Sequence, residues 1–297
     1  MRVGLAANPG KPLALELARH CIDRLASRAE VVLVPETHDA LGATARALPH
    51  VPLDDLRADA LVVIGGDGTF LNSLQHTEVP VLPINAGTLG FLAEVDGKRT
   101  EAVDAALDKL VGGRYVVESR MKLASHCGGT PLPDATNEIV VHTSQVAKMR
   151  LFEIAVDDRP LGRVRADGVI LATPTGSTSY SLAALGPIVD PALEAIVVGV
   201  LAPFQAIQRA VVIDPLRRVS VRLAGPEKDG VVVVDGQNET RVAGGASVLA
   251  YRSTRRASFV RFGSRFFRRL QGRRILPWSE ELPDPEGDEG ADLPPPT

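Results

Sequence analysis

Residues 60–64 read Ala-Leu-Val-Val-Ile, then come Gly65-Gly66-Asp67-Gly68, and Thr69 to Leu74 follow; this junction constrains the fold more than any other feature of the chain. The apolar run is too short for a buried helix and fits a strand covered on both faces. The glycines break it, and helical spacing begins at Thr69. Strand, glycine loop and helix in succession form the repeating unit of an open α/β sheet, whose ligands sit beyond the carboxyl ends of the strands. Without a Cβ, consecutive glycines let a polyphosphate come close to the backbone, and a helix N-terminus adds oriented N–H donors. Asp67 would oppose such an anion, so it needs a reason to be there. Acting as general base on an attacking hydroxyl, or holding a magnesium ion, would supply one. The competing reading is a plain Asp-Gly turn, as at Asp229-Gly230. The loop matches neither common nucleotide fingerprint, GxGxxG or GxxxxGK followed by Ser or Thr.

The same alternation extends on both sides. Arg2 to Ala7 is β-prone, Asn8-Pro9-Gly10 turns, and Leu13, Leu17, Cys21, Ile22 and Leu25 recur at helical spacing. Val31 to Val34 and Val81 to Ile84 are further short strands, the latter running into Asn85-Ala86-Gly87-Thr88. A helix over Thr100 to Leu110 stops at Gly112-Gly113. Beyond it the chain turns β-branched, with strands expected at Val116–Leu123, Glu138–His142, Leu151–Val156, Val169–Ala172, Ile196–Leu201, Val219–Leu223, Val231–Val234 and Ser247–Tyr251. Phe259 to Leu276 mixes aromatic residues with arginines, and a run of acidic residues and prolines follows Trp278. The expected fold is an α/β N-terminal domain with an open parallel sheet over 1–113, onto which 263–278 packs back. A β-rich C-terminal domain covers 114–262. An acidic, proline-rich tail, 279–297, cannot bury enough apolar surface to order itself.

Composition mainly excludes. At 297 residues and 45% hydrophobic content the chain can build a sizeable core. A net charge of -3 and a pI near 6.1 give no basic field for nucleic acid or an anionic membrane. No stretch approaches the ~20 apolar residues that cross a bilayer, and a cytoplasmic protein is expected. Cys21 and Cys127 form no CxxC pair and read as reduced core thiols, and the histidines form no HxH or HExxH pattern, so no protein-held transition metal is expected. Arg265, Arg268, Arg269, Arg273 and Arg274 read as a solvated helix face.

Three further stretches carry candidate chemistry. In Asn85-Ala86-Gly87-Thr88-Leu89-Gly90-Phe91-Leu92-Ala93-Glu94, the glycines can shape a second loop and Phe91 can offer a purine its face, although Leu89, Phe91 and Leu92 equally suit a core. Asp167-Gly168 leads through a short strand to Thr173-Pro174-Thr175-Gly176-Ser177-Thr178-Ser179-Tyr180, a loop whose hydroxyls can bind ribose or phosphate or can be ordinary loop polarity. Asn137-Glu138, ahead of a strand, could take ribose hydroxyls.

In this order, GGDGTFLNSL, NAGTLGFLAE, TNEIVV, DGVILATPTGSTSY and VVVVDGQ resemble the successive motifs of the NAD kinase family, from Met1 to about Trp278. GGDGT alone is shared with diacylglycerol and sphingosine lipid kinases and resembles a phosphofructokinase motif; the NxGxLGF and TPTGSTxY elements separate those relatives. The resemblance implies that NAD is phosphorylated on its adenosine ribose 2′-hydroxyl by ATP or polyphosphate, with magnesium accompanying the donor. It implies Asp67 as the base, with Gly65, Gly66, Gly68 and Thr69 around the donor phosphates. NAD contacts would come from Asp67, Gly68, Phe91, Asn137, Glu138, Asp167, Thr175, Thr178, Ser179 and Tyr180. It further implies a homodimer or homotetramer in which a neighbouring subunit completes the site. Two departures stand out. Leu185-Gly186-Pro187 replaces the usual Gly-Gly-Pro, and Pro203-Phe204-Gln205-Ala206 before Arg209 replaces Pro-His-Ser-Leu. The alternatives are a lipid kinase, which would need a membrane-facing apolar element, and an NAD-binding regulator that has lost the reaction.

Overall fold

The computed structural model describes residues 1–88, 90–204, 209–225, 229–263 and 266–272. The N-terminal part contains strands β1 (Arg2–Ala7), β2 (Glu30–Leu33), β3 (Ala60–Gly65), β4 (Val81–Asn85) and the two-residue β5 (Val95–Asp96). Between them run helices α1 (Pro12–Leu25), α2 (Pro35–Leu41), α3 (Asp67–His76) and α4 (Thr100–Val111). The strands are parallel in the order β2-β1-β3-β4. Their residues alternate between two cores: Val3, Leu5, Val62 and Ile64 pack with α1 and α4, and Ala6, Leu61 and Val63 pack with Phe70, Leu71 and Leu74 of α3. Helices on both faces explain why these strands read as unbroken apolar runs. The chain leaves β1 for β2 on one side and returns to β3 on the other. The carboxyl ends of β1 and β3 therefore flank the switch point where open sheets bind ligands.

The remaining strands are β6 (Val116–Cys127), β7 (Thr130–Ala135), β8 (Glu138–Thr143), β9 (Arg150–Val156), β10 (Arg159–Ala166), β11 (Gly168–Ala172), β12 (Ile196–Leu201), β13 (Val211–Ile213), β14 (Val219–Leu223), β15 (Gly230–Val234), β16 (Asn238–Val242) and β17 (Ser247–Arg261). There are also two short helices, α5 (Tyr180–Ala183) and α6 (Phe266–Gly272). One antiparallel sheet runs β13-β12-β11-β8-β15-β16. It faces β6, β9, β14 and β17 across a core that includes Met121, Leu123, Phe152, Ile154 and Val248 from one side and Ile139, Val141, Leu171, Val198 and Val232 from the other.

Two features depart from the sequence reading. First, β17 does not stop at Tyr251. It continues past an irregularity between Arg252 and Arg256 and places Phe259 parallel to Val81 of β4, so one hydrogen-bonded sheet runs through both parts of the chain. The arginine-rich interval 252–256 concealed the continuation. Second, β5, β7, β10, β13 and β16 had no place in the reading. Arg159–Ala166 is largely exposed on an edge and carries no apolar alternation to reveal it. Cys21 is buried, and Cys127 is partly covered and packs against the second core. The acidic tail lies outside the described residues.

Candidate functional site

Gly65 ends β3, and a methyl group there would overlap the Thr69 side chain, so the strand can turn into α3 only as glycine. Gly66 is the N-cap and Asp67 the first residue of α3. Asp67 thus stands in a first helical turn, where the dipole welcomes a negative charge, and not in a free loop. Its Oδ2 accepts the Phe91 backbone N–H at 3.1 Å, and a methyl on Gly90 would overlap the carboxylate. The second glycine loop is therefore folded against Asp67. Asn85 shapes that loop by donating from Nδ2 to Gly87 O at 2.9 Å. Phe91 is half-buried, and its backbone oxygen accepts Arg269 Nη1 at 2.6 Å. Arg261 Nη1 donates to Leu92 O at 3.0 Å and to Glu94 Oε2 at 3.1 Å. Arg269 is thus a clamp on the second loop, not part of a solvated face, whereas Arg268 is exposed and Arg265, Arg273 and Arg274 lie outside the described residues.

Register assembles the other half. Within the antiparallel sheet Ala172 of β11 pairs with Glu138 of β8, and Val234 of β15 with Ile139. The Asn137-Glu138 turn, the Thr173–Tyr180 loop and the Asp235-Gly236-Gln237 turn are thereby brought to one sheet end. Thr173 donates from N to Asn137 O at 2.8 Å and from Oγ1 to Thr136 O at 2.6 Å, and a methyl on Gly176 would overlap the Asn137 backbone. Ser177 is spent on the backbone oxygens of Pro174 and Val189. Thr175 is buried, Thr178 Oγ1 donates to Thr175 O at 3.2 Å, and Tyr180 projects with 45% of its surface exposed. Ser179 Oγ donates to Glu138 Oε1 at 3.2 Å. Asn137 Oδ1 and Glu138 Oε2 are buried with no hydrogen-bond partner among the described residues. Such acceptors are costly unless a ligand donor meets them.

Asp235 is the residue the sequence reading quoted in a motif and left without a role. Its buried carboxylate accepts the backbone N–H groups of Thr136 at 2.8 Å, Asn137 at 2.7 Å and Glu138 at 3.1 Å. It holds the turn that presents Asn137 and Glu138. Burial, and then the nearby Asp235 charge, push the Glu138 carboxyl up to about 8, against the pull of the Ser179 hydroxyl and the Tyr180 backbone N–H. Burial raises Asp235 as well, offset by its three N–H donors and by Lys122. From the same turn Gln237 Nε2 donates to Gly68 O at 2.6 Å, and Asn238 Nδ2 to Gln75 Oε1 at 2.7 Å. Buried Lys122 adds a bond to Leu74 O at 2.7 Å. The first two bonds pin α3, and Asp67 with it, against the six-stranded sheet, and the third ties α3 to β6 of the larger one.

Asp167 is the expected site residue that the chain does not bring to this place. It precedes Gly168, which pairs with His142 at the opposite end of β8, so the length of β11 puts it roughly 20 Å from Thr173. Of the departures, Leu185 adopts φ +59° and is 74% exposed. The backbone there has the left-handed form that glycine takes freely, which explains the usual glycine, and the leucine side chain points to solvent. Phe204 is 53% exposed; Gln205 and Ala206 lie outside the described residues.

Residues 3–115 match the model of the ATP-NAD kinase N-terminal domain, and residues 136–262 that of the ATP-NAD kinase C-terminal domain. The NAD kinase of Methanothermobacter thermautotrophicus is 37% identical over 283 residues, covering 93% of this chain and 96% of the relative. That of Thermoplasma volcanium is 40% identical over 223 residues, 75% of this chain and 81% of the relative. Among solved structures, yeast NADH kinase complexed with NADH superposes with a TM-score of 0.84 at 25% identity, over 95% of this chain and 89% of that one. An NAD kinase from Archaeoglobus fulgidus in complex with ATP gives 0.72 at 28% identity, over 92% and 98%.

Proposed function

The chain belongs to the NAD kinase family, and from that premise we propose that it transfers the terminal phosphate of ATP to the 2′-hydroxyl of the adenosine ribose of NAD, giving NADP. The observation that carries this reading is the short bridge between the two half-sites. Asp235 holds Asn137 and Glu138, and Gln237, two residues on, holds Gly68 beside Asp67. A ribose whose hydroxyls meet Asn137 Oδ1 and Glu138 Oε2 is thereby offered to the glycine loop. Asp67 takes the proton of the attacking 2′-oxygen, with Gly65, Gly66, Gly68 and Thr69 around the phosphates. Positioning supplies most of the acceleration. Thr175, Thr178, Ser179 and Tyr180 line the NAD side, and Phe91 lies against the substrate. The lipid-kinase alternative is not favoured, because both matched domains and the named relatives are NAD kinases.

Among the described residues no three His, Cys, Asp or Glu side chains gather to hold a metal ion. A magnesium ion would therefore be held by the donor phosphates, with Asp67 as the carboxylate beside them, and would neutralise charge on the phosphate chain. Asp167 would serve as an NAD contact in a homo-oligomer, by reaching the site of a second copy. Among the described residues no helix is long and apolar enough to cross a membrane; a cytoplasmic location rests on composition.

The test is a coupled assay of the full chain with magnesium, NAD and either ATP or polyphosphate, reading NADP. NADP formation supports the kinase; NAD binding without product in either tube would turn the reading to the regulator.

The Glu138 carboxyl, raised to about 8, adds a pH prediction. Ribose hydroxyls donate to the ionised form, so NAD affinity should rise as pH climbs from 7 to 9, by up to about tenfold per unit, and should be nearly flat in Glu138→Gln. Stability of the ligand-free protein runs the other way. A carboxyl raised in the folded state contributes fully below its unfolded value, and the contribution is lost as pH rises through the folded one. Glu138→Gln should therefore stabilise the ligand-free chain at pH 9 relative to pH 6, by on the order of a few kcal/mol. Calorimetric NAD titrations and denaturant melts at both pH values check the pair. A wild-type affinity independent of pH would remove Glu138 from the ribose.

A further inference from the structure

We infer that Lys11 is the cation that receives the donor's phosphate chain, standing between the two glycine loops and steadying the phosphate that departs. The inference rests on the kinase reading above. Lys11 follows Asn8-Pro9-Gly10 at the carboxyl end of β1 and is the N-cap residue of α1. Asn8 Nδ2 donates to Thr69 Oγ1 at 3.1 Å, and Asn8 Oδ1 accepts the Gly10 N–H at 2.9 Å, so the loop after β1 is tied to the loop after β3. From there the lysine reaches across both glycine loops. A methyl group on Gly66 would stand 3.2 Å from Lys11 Nζ, and one on Gly87 would stand 2.9 Å from it. The ammonium rests on bare backbone at the ends of β1, β3 and β4.

Among the described residues no acidic partner accounts for that position. Among the described residues Lys11 forms no ion pair, while Asp67 turns toward the Phe91 N–H. The ammonium also lies beside Gly66, the N-cap of α3, and a cation at a helix N-terminus is disfavoured. A lysine with only a solvated role would extend away from such a field into water. An anion placed among Lys11, Gly66 and the first turn of α3 turns the same field into an attraction. In the transfer, the bond from the NAD 2′-oxygen to the γ-phosphorus forms as the bond from that phosphorus to the β,γ-bridging oxygen breaks, and the 2′-proton passes to Asp67. Charge grows on the departing diphosphate, where an ammonium fixed beforehand is most effective.

The test compares wild type, Lys11→Met, Lys11→Gln and Lys11→Arg as full chains. ATP and tripolyphosphate are varied at saturating NAD, with NAD affinity by calorimetry and melting followed for each. The two neutral variants should lose about 100-fold or more in kcat/KM for whichever donor the wild type uses. Their NAD affinity should stay within about twofold, with unchanged melting, while Lys11→Arg recovers roughly a tenth or more of the wild-type value. Neutral variants within about threefold of wild type for the donor, or a loss confined to NAD affinity, would overturn the role. A wild type that makes no NADP would instead remove the kinase reading itself, so the two failures are distinguishable.

Discussion

Asp67→Asn is expected to fold, to bind NAD as the wild type does, and to lose about 10²- to 10⁴-fold in kcat, the span that general-base assistance contributes. That corresponds to roughly 3–5 kcal/mol on the barrier. Asparagine has the right shape for the comparison. Its Oδ1 can still accept the Phe91 N–H that Asp67 Oδ2 accepts at 3.1 Å, so the second glycine loop keeps its place. What is lost is the ability to take a proton. Asp67→Ala should do more, because removing the carboxylate also releases Phe91 from one of the contacts that fix it; the difference between the variants measures positioning against proton transfer. The NADP-coupled assay gives kcat, and calorimetry with NAD alone separates binding from chemistry. An Asp67→Asn variant turning over near the wild-type rate would end the base assignment, and the proton would have to leave through another group or water.

How much of this could be read from the chain depended on whether the information was local. Apart from the two-residue β5, the parallel half was legible because β1 to β4 are largely buried on both faces and announce themselves as apolar runs between turns. Gly65, Gly66 and Gly68 beside Asp67 were legible for the same reason, since a β-to-α junction with successive glycines has few other uses. What escaped depends on pairing between distant segments. The end of β17 is arginine-rich in sequence, yet Phe259 lies against Val81, about 180 positions away. Arg269 looks like surface until its bonds to Phe91 are known. Asp167 and Thr173 are near in sequence, but an intervening strand carries them to opposite ends of the sheet. Lys11 gave no hint in a turn-forming context; only the convergence of the loops after β1, β3 and β4 shows where its ammonium falls.

Asp235 supplies the second large effect, and it separates a structural contribution from an electrostatic one. Asp235→Ala leaves the N–H groups of Thr136, Asn137 and Glu138 without their shared acceptor. Each buried donor so abandoned costs about 1–3 kcal/mol, so a loss of several kcal/mol in stability is expected, read as a lowered denaturation midpoint. NAD affinity should fall with it, because the turn that aims Asn137 and Glu138 is no longer held. Asp235→Asn keeps an acceptor oxygen and removes the charge. Its neighbour then reports the change. Glu138 is raised to about 8 by burial first and by the Asp235 charge second, so in Asp235→Asn only burial remains and the pH at which NAD binding strengthens should move down. A purely structural role for Asp235 would weaken binding at every pH and leave that midpoint where it was. An Asp235→Ala variant as stable as the wild type, with its NAD affinity intact, would show that the turn holds itself. The bridge from Asn137 and Glu138 to the Asp67 loop would then rest on the bonds of Gln237 and Asn238 to α3.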